Sequence, residues 1–122
     1  MGERAAPVAD GDTIFAKIIR REVPAEIVYE DSRALAFKDV SPQAPVHLLV
    51  IPKEPIVSVG EAKEEHGELL GHLMVVAQTV AREAGIGDAF RVVTNSGEGA
   101  GQSVFHLHLH VIGGRPLSWP PG

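Results

Sequence analysis

Three histidines stand at alternate positions near the C-terminus: His106, His108 and His110, within VFHLHLHVI. Side chains at i, i+2 and i+4 of a β-strand share one face, so the imidazoles would form a row spaced by roughly 6.5–7 Å. Val104 and Ile112 share that parity, while Phe105, Leu107, Leu109 and Val111 take an apolar opposite face that suits packing on a helix. One histidine on a face is usually structural, but three in a row ask for chemistry. Two chemistries fit. Alternating histidines can ligate zinc, with His47 on another candidate strand as a further ligand. Alternatively, a neutral imidazole attacks phosphorus near neutral pH, and its neighbours orient it and move protons.

The segment before the row bears on this choice. Gly97, Gly99 and Gly101 permit a backbone that aims successive N–H groups inward as an anion nest, and Ser103 adds a hydroxyl. A phosphoryl oxyanion needs such donors and a metal site does not. The loop is not a Walker loop, because no Lys-Ser/Thr pair ends it and a strand follows it. A nucleoside would need a carboxylate for its ribose, and Asp39 ends a strand just after Phe37. Ile14, Phe15 and Ile18 offer a slot for a base, although their spacing fits a core equally well. His66 and His72 are six residues apart, share no helical face and read as surface residues.

The elements that must position these groups follow from periodicity. Asp12 caps a short helix carrying Ile14, Phe15, Ile18 and Ile19, which Pro24 stops. Residues 26–30 and 34–38 form a hairpin around Glu30-Asp31-Ser32-Arg33. A proline-containing loop over residues 39–45 precedes a strand at 46–51 that Pro52 ends. A long amphipathic helix spans about 64–84, with an apolar stripe from Leu69 to Ala84, and Gly85 and Gly87 close it. Strands at 90–94 and 104–112 flank the glycine loop. These five strands, one short and one long helix predict an α+β fold, a mostly antiparallel sheet with the long helix on one face.

The chain has 122 residues, enough for one domain, here 12–122 behind a mobile tail at 1–11. A net charge of −5 argues against wrapping nucleic acid or binding an anionic membrane surface. With no cysteine, disulfides, thiolate catalysis and cysteine-ligated metals are excluded. The first twelve residues lack the apolar core of a secretory signal, and Ala6 stands where myristoylation wants Ser or Thr. No apolar run approaches the roughly 18 residues of a membrane span. The expectation is a cytoplasmic protein, with the nucleus open to it as a second compartment.

The stretch from Gln102 to Arg115 (QSVFHLHLHVIGGR) resembles the signature of the histidine-triad (HIT) superfamily. The Gly-Gly-Arg after the triad and the terminal WPPG are similar to its Hint branch, the histidine triad nucleotide-binding proteins. So are residues 12–19 (DTIFAKII), 37–53 and 69–74 (LLGHLM), and the resemblance runs from about Gly11 to the end. Phe105, in place of tyrosine, and Pro116 depart from it. The resemblance implies the HIT-like fold, with two sheets joined in a homodimer across the long helix and a central strand. It also implies a purine nucleoside (AMP- or GMP-type) phosphoramidase, active on aminoacyl adenylates too, without metal or cofactor. His108 would be the nucleophile and form a nucleotidyl intermediate. His110 would meet the phosphate and leaving group, and His106 and His47 would form an orienting, proton-handling pair. Asp39 would take the ribose hydroxyls, while Asn95, Gly101 and Ser103 reach the phosphate, with Gln102 and Val104 also at the nucleotide. Ser103 would assist the leaving nitrogen. Ile14, Phe15, Ile18, Phe37 and Val40 would line the base, and Trp119 would lie at the dimer interface or shape the substrate site. The alternatives are a metal-dependent hydrolase on His106, His108, His110 and His47, and a non-catalytic nucleotide-binding or scaffold protein.

Overall fold

The computed structural model describes residues 13–122, so the expected tail at 1–11 and the Asp12 cap lie outside the described residues. The short helix is α1, Ile14–Ile19, and its N-cap is Thr13, whose hydroxyl accepts the Ala16 N–H at 3.1 Å. It stops well before Pro24. Arg21 turns left-handed (φ 63°), with Arg21 N–H on the Ile18 carbonyl and Glu22 N–H on that of Lys17. This paired closure ends a helix without proline.

Strands β1 (Ile27–Glu30), β2 (Ala34–Lys38) and β3 (Val46–Pro52) follow, then helix α2 (Gly67–Glu83), β4 (Phe90–Val93) and β5 (Leu109–Gly113). The sheet order is β1-β2-β3-β5-β4, and all four pairings are antiparallel. Helix α2 starts three residues later than its periodicity suggests, after a 3₁₀ turn at Glu64–His66. It closes as expected at Gly85 (φ 82°), where Ile86 N–H reaches the Ala81 carbonyl and the Ile86 side chain enters the core.

The sheet has two unlike faces. Ala34, Ala36, Leu48, Val50, Leu109 and Val111 meet the α2 stripe of Leu69, Leu73, Val76, Ala77 and Val80 in the larger apolar core. Their alternate neighbours Leu35, Phe37, Leu49 and Ile51 join Phe15 and Ile18 of α1 in a smaller one. This second cluster fills one end of the face that carries His47 and His110, since Leu49 lies opposite His110.

The last strand is shorter than its alternation predicts. Residues 104–108 leave the sheet because β3 ends at Pro52, which has no N–H to continue the ladder. Leu107 instead donates its N–H to the Ile56 carbonyl at 2.6 Å. Leu107, Leu109 and Val111 still enter the larger core as alternation demands, but Phe105 stays outside it, half-buried.

His66 and His72 are not free surface residues. His66 Nδ1 accepts the Lys63 N–H at 2.9 Å while Nε2 meets Glu54, so the ring organises the start of α2. His72 Nε2 lies 2.6 Å from Asp31 Oδ2, which also accepts the Tyr29 hydroxyl at 2.7 Å. Asp31 Oδ1 takes the Arg33 and Ala34 N–H groups, so one carboxylate closes the β1–β2 turn and ties it to α2. Partial burial alone would raise the Asp31 pKa, but the donors from Tyr29, Arg33, His72 and Ala34 hold it well below the usual carboxylate value. A carboxyl that ionises more readily folded than unfolded stabilises the fold above its unfolded pKa, and that support fades as pH falls. Asp31→Asn should cost about 1–2 kcal/mol at pH 7 in urea titrations and flatten the loss of stability below about pH 4. An unchanged acid limb would refute the assignment.

Candidate active site

β3 and β5 bring the distant histidines together. His47 lies opposite Ile112 and His110 opposite Leu49, so both point to the sheet face away from α2. The rings of His47 and His110 lie 5.1 Å apart, as do those of His108 and His110. Phe15 of α1 sets its ring edge-on to His108, with centroids 5.0 Å apart.

His106 stands apart. It is 1% exposed, and its Nε2–H donates to the Pro52 carbonyl at 2.7 Å. That bond puts its one neutral-state proton on Nε2, and its buried Nδ1 has no hydrogen-bond partner among the described residues. His106 therefore anchors the segment that left the sheet, and its carbonyl accepts the His108 Nδ1–H at 2.7 Å. With Nδ1 protonated, a neutral His108 keeps an unprotonated Nε2. The expected orienting pair of His106 and His47 does not form, because the Pro52 carbonyl holds the His106 ring elsewhere.

His47 pairs with His110 instead, and the proton order follows from an obligate donor. The backbone N–H of Gln43 donates to His47 Nδ1 at 3.0 Å, so that nitrogen must be the acceptor. His47 Nε2 then carries the proton and donates to His110 Nδ1 at 2.9 Å, with Asp39 Oδ2 3.4 Å away. His110 in turn holds its proton on Nε2. One neighbour thus presents a lone pair and the other a hydrogen-bond donor. Burial pushes the His106 and His108 rings below the usual histidine value. His110 is pushed down to about 4 by burial, with His108 and His47 adding to the effect. These three rings are therefore neutral at pH 7.

The glycine loop is a structured turn. Gly97 (φ 96°) and Gly101 (φ 101°) adopt the positive angles expected of them around a 3₁₀ turn at Glu98–Ala100. The nest reading needs correction, because the N–H groups of Gly97, Ala100, Gly101 and Gln102 all donate within the loop. Gln102 is buried. Its carbonyl oxygen takes the Gly97 N–H, and its amide donates to the Val57 and Val104 carbonyls, so its side chain locks the loop and is not presented to a ligand. Ser103 is exposed, while Asn95, beside Gly101, and Val104 are half-buried.

The expected base slot divides in two. Phe15, Ile18 and Phe37 are buried in the smaller core, whereas Ile14 and Val40 are exposed, Val40 at 94%. Asp39 lies beside the histidine pair, with Oδ1 accepting the Ser41 N–H at 2.8 Å. Trp119 is exposed. A cavity of about 540 Å³ between β1–β3 and the C-terminal half of α2 touches this region only at Asp39 and His47, so it is separate from the histidine row.

Among the described residues, Asp39, His47 and His110 present ligand atoms within 4.8 Å of one another, a donor set suited to a divalent cation. Neither His106 nor His108 belongs to it, so the four-histidine metal site is not formed. The partners that organise the site but went unread in the sequence are backbone carbonyls and an amide, at His106, Pro52 and Gln43. A backbone group carries no residue-type signal. The Thr94 hydroxyl, which donates to the His108 carbonyl at 2.9 Å, was equally invisible by spacing.

The sequence profile of the HIT domain matches residues 20–117. An uncharacterized HIT-like protein of Synechocystis sp. is 64% identical over 111 residues, which is 91% of this chain and 97% of the relative. A 14 kDa zinc-binding protein of Zea mays is 50% identical over 115 residues, 93% of this chain and 90% of the relative. The crystal structure of a HIT family hydrolase from Legionella pneumophila superposes with a TM-score of 0.88 at 43% identity, covering 91% of this chain and all of that one.

The neutral histidine row has a measurable consequence. In an NMR titration, the His110 ring should stay neutral through pH 6 and titrate near 4, far below the usual histidine value of 6.5. Because the unfolded chain takes these protons first, the row's contribution to stability is complete above pH 6.5 and declines as pH falls towards 4. A midpoint at or above 6.5 would remove the basis for a neutral row.

Proposed function

The chain belongs to the HIT domain family, and from that premise we propose that it is a hydrolase of the Hint branch, a purine nucleoside phosphoramidase acting through His108. The observation that carries this reading is the proton order. His106's carbonyl holds the His108 Nδ1–H and leaves Nε2 as a lone pair, next to a His110 ring whose proton the Gln43 N–H, acting through His47, leaves on Nε2. A nucleophile beside a neutral donor suits attack on an anionic phosphoryl group in a partly dry site.

In this mechanism His108 Nε2 forms a bond to the α-phosphorus as the P–N bond breaks. His110 Nε2–H stabilises the phosphoryl oxygen. The leaving nitrogen takes a solvent proton relayed through the exposed Ser103 hydroxyl and departs as the amine. Water then attacks the nucleotidyl-histidine, the monophosphate leaves with the new hydroxyl, and the surplus proton returns to solvent. Asp39 holds the ribose hydroxyls, and the exposed Ile14 and Val40 close over the base against Phe15, Ile18 and Phe37. Asn95, Gly101 and Val104 border the phosphate. Aminoacyl adenylates meet the same nucleophile.

A homodimer is part of the proposal. β4 is an edge strand, and Met74 and Val75 of α2 are exposed. Pairing two copies across these elements would cover an open strand edge and apolar side chains together. The tail runs from β5 towards β4, where Arg91 donates to the Ser118 carbonyl, and this brings Trp119 to that edge. A second reading, metal-assisted hydrolysis, is favoured by the Asp39–His47–His110 set and by the name of the Zea mays relative. Against it, the facing nitrogens of His47 and His110 already hydrogen-bond to each other, and a bound ion would have to break that bond.

Incubation with an adenosine 5′-phosphoramidate and fast quenching should trap a nucleotidyl adduct on the His108 peptide by mass spectrometry. His108→Ala should lower kcat/KM by on the order of 10³-fold or more, and a chelator should leave the rate unchanged. Chelator-sensitive turnover restored by zinc would establish the second reading instead. Light scattering should give the mass of a dimer, and Val75→Glu should give that of a monomer. A monomeric parent chain would refute the pairing.

A further inference from the structure

The Gly113-Gly114-Arg115 run that follows the histidine row has a physical use at the site. Gly113 closes β5 where a Cβ would stand 2.9 Å from Ile86 Cδ1 and 3.0 Å from the Ala89 carbonyl oxygen. Only glycine lets the strand end so close to the turn after α2. Gly114 takes φ +90°, and a Cβ there would come within 3.0 Å of Pro45 Cβ. The chain therefore turns against the loop that joins β2 to β3. Arg115 then reaches across and donates from Nη2 to the Gln43 carbonyl at 3.0 Å, while Nη1 meets the Pro116 carbonyl. The same peptide region is braced inside the loop by the Gln43 side chain, whose amide donates to the Ser41 carbonyl at 3.0 Å.

Gln43 is the residue whose N–H decides where the protons of the histidine pair sit. The two neutral tautomers of an imidazole are close in energy, so a single obligate donor on one nitrogen selects between them. With the Gln43 N–H on His47 Nδ1, the order is His47 Nε2–H to His110 Nδ1, and His110 Nε2 is the donor. If that amide swings away, His47 can carry its proton on Nδ1. His110 Nδ1 must then become the donor in the pair, and its Nε2 turns a lone pair towards the site. A lone pair there repels a phosphoryl oxygen instead of binding it.

We propose that Arg115 is a positioning residue for this chemistry. By gripping the Gln43 carbonyl it holds the Gln43 N–H on His47, and so selects the nitrogen of His47 and of His110 that carries the proton. Its effect on rate rests on the phosphoramidase reading, whereas its effect on proton placement does not.

The test compares the full-length, metal-free chain with Arg115→Ala and Arg115→Lys in two ways. Long-range ¹H–¹⁵N spectra of the imidazoles read the tautomers directly. The parent chain should show His47 and His110 each as a single Nε2–H form. Arg115→Ala should show a mixture at both rings, and Arg115→Lys, with one donor of similar reach, should recover most of the parent pattern. With adenosine phosphoramidate, Arg115→Ala should lose roughly 10-fold or more in kcat with KM within about twofold, the pattern of a misplaced reacting group. Parent-like tautomers in a folded Arg115→Ala overturn the proposal even if the rate falls. Should Arg115→Ala fail to fold, Arg115→Met, which keeps the apolar stem without a donor, takes its place beside Arg115→Lys. Mixed tautomers in the methionine variant support the clamp, and parent-like spectra there refute it. A parent chain that hydrolyses no P–N bond defeats the phosphoramidase reading alone, because the spectra still decide the clamp.

Discussion

The bond from His106 to the carbonyl of Pro52 is the constraint on which the histidine arrangement depends. Proline ends β3 by lacking an N–H, yet its carbonyl still accepts, and the His106 ring takes that place. The bond gives the departing segment 104–108 a fixed path over the end of the sheet. It also leaves the His106 carbonyl free to receive His108 Nδ1–H, which fixes the tautomer of the neighbouring ring. Replacing either bond with water would leave His108 free to sample both tautomers. The position of the lone pair is thus decided by two carbonyls, and no charged side chain takes part.

The rigidity behind this comes from the other face of the sheet. Leu107, Leu109 and Val111 alternate with the histidines and are locked into the core beneath α2. Each imidazole therefore stands on a backbone whose opposite side chains are close-packed, and catalytic geometry tolerates little slack. The smaller cluster under α1 supplies a partly dry surrounding, and burial there drives the histidine pKa values down. On the proposed reading, an anionic substrate would meet neutral donors in a chain of net charge −5, and selectivity for phosphate would lie in the direction of each N–H.

Much of the molecule was legible in advance because its signals are local. Alternation and turn residues located all five strands, and the 3.6-residue stripe located α2, with Gly85 at its close. The errors lie where a tertiary partner overrode a local pattern. The VFHLHLHVI alternation reads as one strand, but a strand exists only as far as its neighbour can pair, and Pro52 ended the pairing early. Pro24 looked like the stop for α1, yet Arg21 in a left-handed turn ended it sooner. His66 and His72 lacked a shared helical face, which says nothing of the carboxylates that Glu54 and Asp31 bring from distant segments.

The same division holds at the site. Residue types and spacing pointed to a cluster of imidazoles with His47 and Asp39 as candidate neighbours, and to phosphoryl transfer or metal binding as the chemistry to expect. They pointed to the family as well, through the run of residues from Gln102 to Arg115, within the HIT domain match over residues 20–117. Only the tertiary structure decided which histidine anchors, which keeps a lone pair and which donates. It paired His47 with His110, turned His106 inward and engaged the side chain of Gln102. The reason is physical: a histidine's proton goes to the nitrogen facing an acceptor. Here the deciding partners are the carbonyls of Pro52 and His106 and the N–H of Gln43, backbone groups that carry no residue-type signal and that only the fold can aim.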